Sequence, residues 1–139
     1  MCIRDRRRGG GHIFAKQPRD YSYRLPRKAI RTATRMAIAS KIKDEQITVI
    51  DDLAFDVPKT KEMAGILKAL QLAGKTTLIA TAEHDVTVYR SARNIAGVTV
   101  SPVSDLNALS VLTPRHMLVT KAALDRLQEQ AAGAQKAKS

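Results

Sequence analysis

Residues 58–81 read PKTKEMAGILKALQLAGKTTLIAT, a helix-length segment followed by a strand-length one. Pro58 suits a first helical turn, where its missing N–H costs nothing. Met63, Ile66, Leu67 and Leu70 then recur at i, i+3, i+4 and i+7, the spacing that lines one helical face. Gly74 offers a helix stop. Thr76-Thr-Leu-Ile-Ala-Thr81 follows as a strand. An amphipathic helix feeding a strand is the unit of a parallel sheet, because a parallel neighbour is reached only by a crossover.

The same alternation extends in both directions. Upstream, Ile47-Thr-Val-Ile50 is a short β-branched run closed by Asp51-Asp52, and Pro26 begins a breaker-free helical stretch to about Lys43. At 100° per residue Arg27, Lys28, Arg31 and Arg35 share one arc of that helix. Ala29, Ala33, Met36, Ala37 and Ser40 fall opposite, so the helix is expected to pack by its small residues and present its cations outward. Downstream come a short helix over 86–94, a strand at Val98–Val100, a short helix over 105–112 and a strand at Met117–Val119. Thr120 is placed to cap a last helix carrying Ala123, Leu124 and Leu127, with 133–139 expected to fray as a disordered tail. The expected fold is α/β: a mostly parallel sheet of about four strands with helices on both faces, spanning 26–132 and preceded by an extended basic loop segment.

Charge is distributed unevenly. The 139 residues carry 24 Lys and Arg against 13 Asp and Glu, for a net charge of +11. Residues 1–43 hold 13 of the cations and 2 of the acids, whereas 44–139 hold 11 of each. A neutral body with a concentrated basic flank is the footprint of a polyanion binder, nucleic acid before membrane. No apolar run approaches the roughly 18 residues of a membrane span, and no secretory leader is evident, so a soluble cytoplasmic or organellar protein is expected.

Enzymatic signals are weak by comparison. Gly74-Lys75-Thr76 matches the end of a phosphate-binding loop, but that motif needs glycine where Ala69 stands and a helix where a strand is expected. Asp51, Asp52, Glu83, His84, Asp85 and Lys121 would gather at the carboxyl edge of a parallel sheet, where ligands usually bind. They would suit a Mg²⁺-dependent phosphoacceptor domain similar to response-regulator receivers, which is the alternative function. With one cysteine, Cys2, and three dispersed histidines, His12, His84 and His116, neither a disulfide nor a metal site is expected. No catalytic residue, cofactor or small-molecule substrate is assigned.

The flank supplies a better site. Gly9 to Lys28, GGGHIFAKQPRDYSYRLPRK, breaks both periodicities with glycines and prolines while carrying cations and aromatics. Arg7, Arg8, Lys16, Arg19 and Arg24 on irregular backbone can follow an irregular path of phosphates. Phe14, Tyr21 and Tyr23 can stack on unpaired bases, and Arg27, Lys28, Arg31 and Arg35 would dock on adjacent phosphates.

Together these segments resemble the large ribosomal subunit protein L-four family of bacterial type. The resemblance is carried by Gly9-Gly10-Gly11, Pro18 to Lys28 (PRDYSYRLPRK), Ile50-Asp-Asp-Leu53, Pro58 to Glu62 (PKTKE), Ser91-Ala-Arg-Asn94 and Leu118-Val-Thr-Lys121, over about 9–130. It implies an α/β domain with a long loop threading into large-subunit ribosomal RNA and helping to shape the peptide exit tunnel, a structural and assembly role. Residues 9–25 would be the returning limb of that loop, and Arg24, Arg27, Lys28, Arg31 and Arg35 would meet RNA where it rejoins the domain. Arg93, in the Ser-Ala-Arg-Asn tetrapeptide, is a further RNA-binding candidate. Ribosomal RNA and neighbouring large-subunit proteins are the implied partners, in the bacterial cytoplasm or an organelle. The family has a further N-terminal section that Met1 to Arg6 does not resemble. Residues 1–8 are therefore expected to lie outside the family pattern, and the chain to be a fragment with some apolar surface uncovered.

Overall fold

The computed structural model describes residues 17–136. Residues 17–26 carry neither helix nor strand. The chain then forms α1 (Arg27–Lys43), β1 (Ile47–Ile50), α2 (Thr60–Ala69), β2 (Thr77–Thr81) and α3 (Val86–Ala92). It continues through β3 (Val98–Pro102), a single 3₁₀ turn (Val103–Asp105), α4 (Ala108–Leu112), β4 (His116–Thr120) and α5 (Lys121–Lys136). The four strands make one sheet in the order β1-β4-β2-β3. Every pairing is parallel, with Ile47 opposite Met117, and Thr77 opposite both His116 and Val98. The expected α/β architecture is therefore present, with the last strand inserted between the first two.

Side-chain alternation along the central strands builds two cores. Leu78 and Ala80 of β2 with Met117 and Val119 of β4 face α1, α4 and α5 through Ala37, Val111 and Ala123. Ile79 and Leu118 point the other way, onto Met63 and Leu67 of α2 and Val88 and Ala92 of α3. Helices thus cover both faces, and β2 is buried along its whole length from Thr77 to Thr81. The buried polar side chains are all satisfied among the described residues. Thr77 donates to Lys75 O, Ser91 to Thr87 O, and Thr120 Oγ1 accepts from Ala123 N at the start of α5.

The helix ends differ in detail from the expectation. Pro58 precedes α2 by two residues, and Lys59 is its N-cap. The stop comes before Gly74: Gln71 takes a left-handed φ of 58°, Leu72 N–H bonds Leu67 O, and Gln71 N–H bonds Lys68 O. This is a Schellman closure with glutamine in the position glycine normally fills. Glu45 (φ 55°) ends α1 the same way, with Gln46 N–H on Lys41 O. At the other end of the chain α5 continues to Lys136 rather than fraying from Gly133, since Ala131, Ala132 and Ala134 favour helix around that glycine.

The packing face of α1 is also a correction. Ala29, Ala33, Met36 and Ser40 are exposed, Met36 by 68%. The helix packs instead by Thr34, Ala37, Ile38 and Lys41, an i, i+3, i+4, i+7 set rotated away from the small-residue face. Lys41 buries its stem and donates from Nζ to Gln46 Oε1 (2.7 Å), Pro114 O (2.8 Å) and Arg115 O (3.0 Å). All three ammonium protons are used, so the cation is tolerated inside.

Candidate nucleic-acid interface

The basic flank has a defined local geometry from residue 17 onward. Asp20 turns the chain by accepting Ser22 N–H at 2.7 Å, which holds its carboxyl below the ordinary carboxylate value. The turn sets the Arg19 guanidinium over the Tyr21 ring, 4.4 Å from its centroid. Stacking of this kind orients the cation while leaving its N–H edges available. Tyr21 and Tyr23 are 78% and 82% exposed, and no helix or strand holds the backbone that carries them. Pro26 then starts α1, where Ala29 and Ile30 N–H groups bond its carbonyl.

Arg24, Arg27, Lys28, Arg31 and Arg35 are all exposed. The α1 cations form one stripe about 12 Å long, from the 1.5 Å rise over eight residues. Among the described residues none of them is in an ion pair, since the two pairs present are Lys59 with Glu62 and Arg126 with Glu83. Arg35 also donates to Gln130 O at 3.3 Å, tying the stripe to α5. Three guanidinium groups and an ammonium on a fixed helix, in no ion pair among the described residues, are suited to phosphate oxygens, which guanidinium groups bind through paired N–H donors.

The structure does not gather all the candidates. Arg93 caps α3 on the opposite face of the sheet from α1, with Ser91 and Ala92 of its tetrapeptide buried and Asn94 exposed. Arg7, Arg8, Phe14 and Lys16 lie outside the described residues.

The acidic set at the carboxyl edge does not converge either. β4 stands between β1 and β2, so Asp51 and Asp52 are two strand spacings, about 10 Å, from the residues after β2. Lys121 begins α5 between them. Asp85 caps α3 by accepting from Thr87 and Val88, and the Thr87 hydroxyl bond chiefly holds its carboxyl below the ordinary value. Glu83 is paired with Arg126, and Asp52 accepts Leu53 N–H. Among the described residues no three potential ligands group as a metal site. Asp85 and Glu83 thus serve capping and pairing, and Asp52 holds the adjacent backbone, uses that need no phosphoacceptor chemistry.

Sequence reading missed a second set of cations, at the amino edge of the sheet. Lys75 leads into β2, Arg115 and His116 open β4, and Lys41 reaches the same edge from α1. They are 34 and 40 residues apart in sequence, so no local window shows them, and only the β2–β4 pairing assembles them.

Fold and site together define a parallel α/β domain with one cationic helix and an irregular, tyrosine-bearing basic segment before it. The chain belongs to the ribosomal protein L4/L1 family, whose sequence pattern matches residues 5–130, beginning ahead of Gly9. It is 59% identical over 123 residues to large ribosomal subunit protein uL4 of Rhodopirellula baltica, covering 88% of this chain and 55% of that protein. The uL4 proteins of Oceanobacillus iheyensis and Alkaliphilus metalliredigens are 45% and 42% identical over 121 residues, 87% of this chain and 58% of each relative. The chain thus spans a little over half the length of these relatives.

Proposed function

We propose that this chain is a structural, non-catalytic component of the large ribosomal subunit that binds large-subunit ribosomal RNA. The observation that carries the reading is the exposed stripe Arg27, Lys28, Arg31 and Arg35, in no ion pair among the described residues and joined directly to exposed Tyr21 and Tyr23. Guanidinium groups neutralise phosphates along the helix, and the tyrosines offer faces to unpaired bases beside it. Residues 9–25 act as the returning limb of an RNA-penetrating loop, with Lys16, Arg19 and Arg24 along it and Arg7 and Arg8 ahead of it in sequence as further phosphate partners. The names of the relatives support a place in the large subunit. On this reading the domain 26–132 anchors the loop, the loop contributes to assembly and the exit tunnel, and neighbouring large-subunit proteins and a bacterial cytoplasmic ribosome complete the setting.

A salt titration of binding to a large-subunit ribosomal RNA transcript tests it. Neutralising about six phosphates gives a slope of log affinity against log salt near −4 to −5. Binding that ignores salt, or no binding, contradicts the proposal.

A further inference from the structure

We propose that the amino edge of the sheet is a second docking point for RNA phosphates, with Lys75 and Arg115 as its reaching cations. The proposal rests on the RNA-binding reading above and adds a site remote in sequence from the basic flank.

The placement follows from the sheet. Thr77 stands opposite His116, and Thr76 and Arg115 are the residues just ahead of these two strand starts. Arg115 N–H donates to Thr76 Oγ1 and His116 N–H to Thr76 O, each at 3.0 Å, which fixes the two strand starts about one spacing, ~4.8 Å, apart. The third strand joins through Thr77 N–H on Gly97 O at 2.8 Å, and Arg93 lies four residues before that glycine. Lys41 Nζ sits 3.0 Å from Arg115 O, adding a fixed positive charge beneath the edge.

These charges are not cancelled locally. Lys75 and Arg115 are exposed, and neither is in an ion pair among the described residues. His116, half-buried between them, reports the field: burial first, then Lys75, Arg115 and Lys41, push its imidazole below the ordinary 6.5. The acids of this edge are Asp44 and Glu45, in the turn that closes α1. Asp44 is engaged by the Ser40 hydroxyl, and neither acid is among the charges acting on His116.

The opposite edge has the reverse sign. Asp51 and Asp52 follow β1, Glu83 and Asp85 follow β2, and Asp105 follows β3. Lys121 and Arg126, the latter paired with Glu83, offset only part of these five acids, so the sheet is a charge dipole along its strands, cationic at the amino edge and anionic at the carboxyl edge. A polyanion approaching it is steered to the amino edge and repelled from the other. Because α1 ends at this edge with Lys41 and Lys43 in its last turn, the arginine stripe runs along α1 toward the edge where Lys75 and Arg115 stand. That continuity favours one extended backbone of phosphates over an acidic protein surface as the ligand.

Three variants separate the two sites: Lys75→Gln/Arg115→Gln, the α1 set Arg27→Gln/Lys28→Gln/Arg31→Gln/Arg35→Gln, and all six together. The probe is the large-subunit ribosomal RNA transcript, titrated across salt. The edge variant is expected to weaken binding and to flatten the salt slope by about 1.5, two contacts at roughly 0.7–0.9 each. His116 ring resonances are expected to move on RNA addition in the wild type and in the α1 variant, and its titration to shift upward as bound phosphate offsets the cations. An edge variant with wild-type affinity and slope, and a silent His116, overturns the inference while leaving the α1 interface intact, and assigns the edge to another partner. If the transcript does not bind the unmodified chain, the RNA-binding reading itself fails. Lys75→Glu/Arg115→Glu guards against weak neutralisation effects: it must reduce affinity further, or the inference falls.

Discussion

The sheet body and its basic flank follow opposite rules. In the body, Leu78, Ile79, Leu118 and Val119 are buried almost completely, and every buried polar side chain has a partner. From residue 17 to residue 33 every side chain is exposed, and the one ordering device before α1 is the Asp20 turn with Arg19 stacked on Tyr21. Stability thus resides in the buried residues of the body, and on the proposed RNA-binding reading binding falls to exposed residues of the flank that contribute little to it. Mutations should separate the two properties cleanly.

Core truncation has the largest expected effect. Leu118→Ala or Met63→Ala should destabilise the domain by about 2–5 kcal/mol in urea unfolding, because each side chain is fully buried. A smaller loss would show that the two cores relax around the cavity. Next is Lys41→Met, which removes the donor to the Pro114 and Arg115 carbonyls and to Gln46, and should cost about 1–3 kcal/mol by the same measurement. No loss would mean that water replaces the ammonium.

Gln71→Gly should act in the other direction. Relief of a left-handed residue at about 1–2 kcal/mol exceeds the added chain freedom of glycine at about 0.5–1 kcal/mol. A rise of about 0.5–1 kcal/mol in stability is expected, and Glu45→Gly should behave alike. The pH response is smaller and has a definite sign. The folded chain holds His116 below 6.5, so the unfolded chain binds a proton more readily, and stability should fall as pH drops through and below that value. His116→Gln should flatten the decline, and an unchanged profile would remove this histidine from the account.

Much of this fold could be read from the chain. The i, i+3, i+4, i+7 set in residues 63–70 and the strand-length run from Thr76 to Thr81 identify a helix and a strand, and the alternation repeats outward. Strand order could not be read so, because inserting β4 between β1 and β2 depends on which faces the helices cover, a non-local matter. The packing face of α1 departs from its sequence pattern for a physical reason. Small residues looked like the contact side, but three acceptors near Pro114 make it worthwhile to bury Lys41 and turn the helix. The α1 cations were legible because helical spacing is local. The amino-edge cations were not, since a parallel pairing is what joins residues 75 and 115.

Separability is tested most directly by the four-cation variant of α1, Arg27→Gln/Lys28→Gln/Arg31→Gln/Arg35→Gln. Surface substitutions of this kind each change stability by less than about 0.5 kcal/mol. Four lost phosphate contacts should flatten the salt slope for the ribosomal RNA transcript by about 3. An unchanged melting transition with that loss of slope is the predicted result. Wild-type affinity and slope in a folded variant would contradict it.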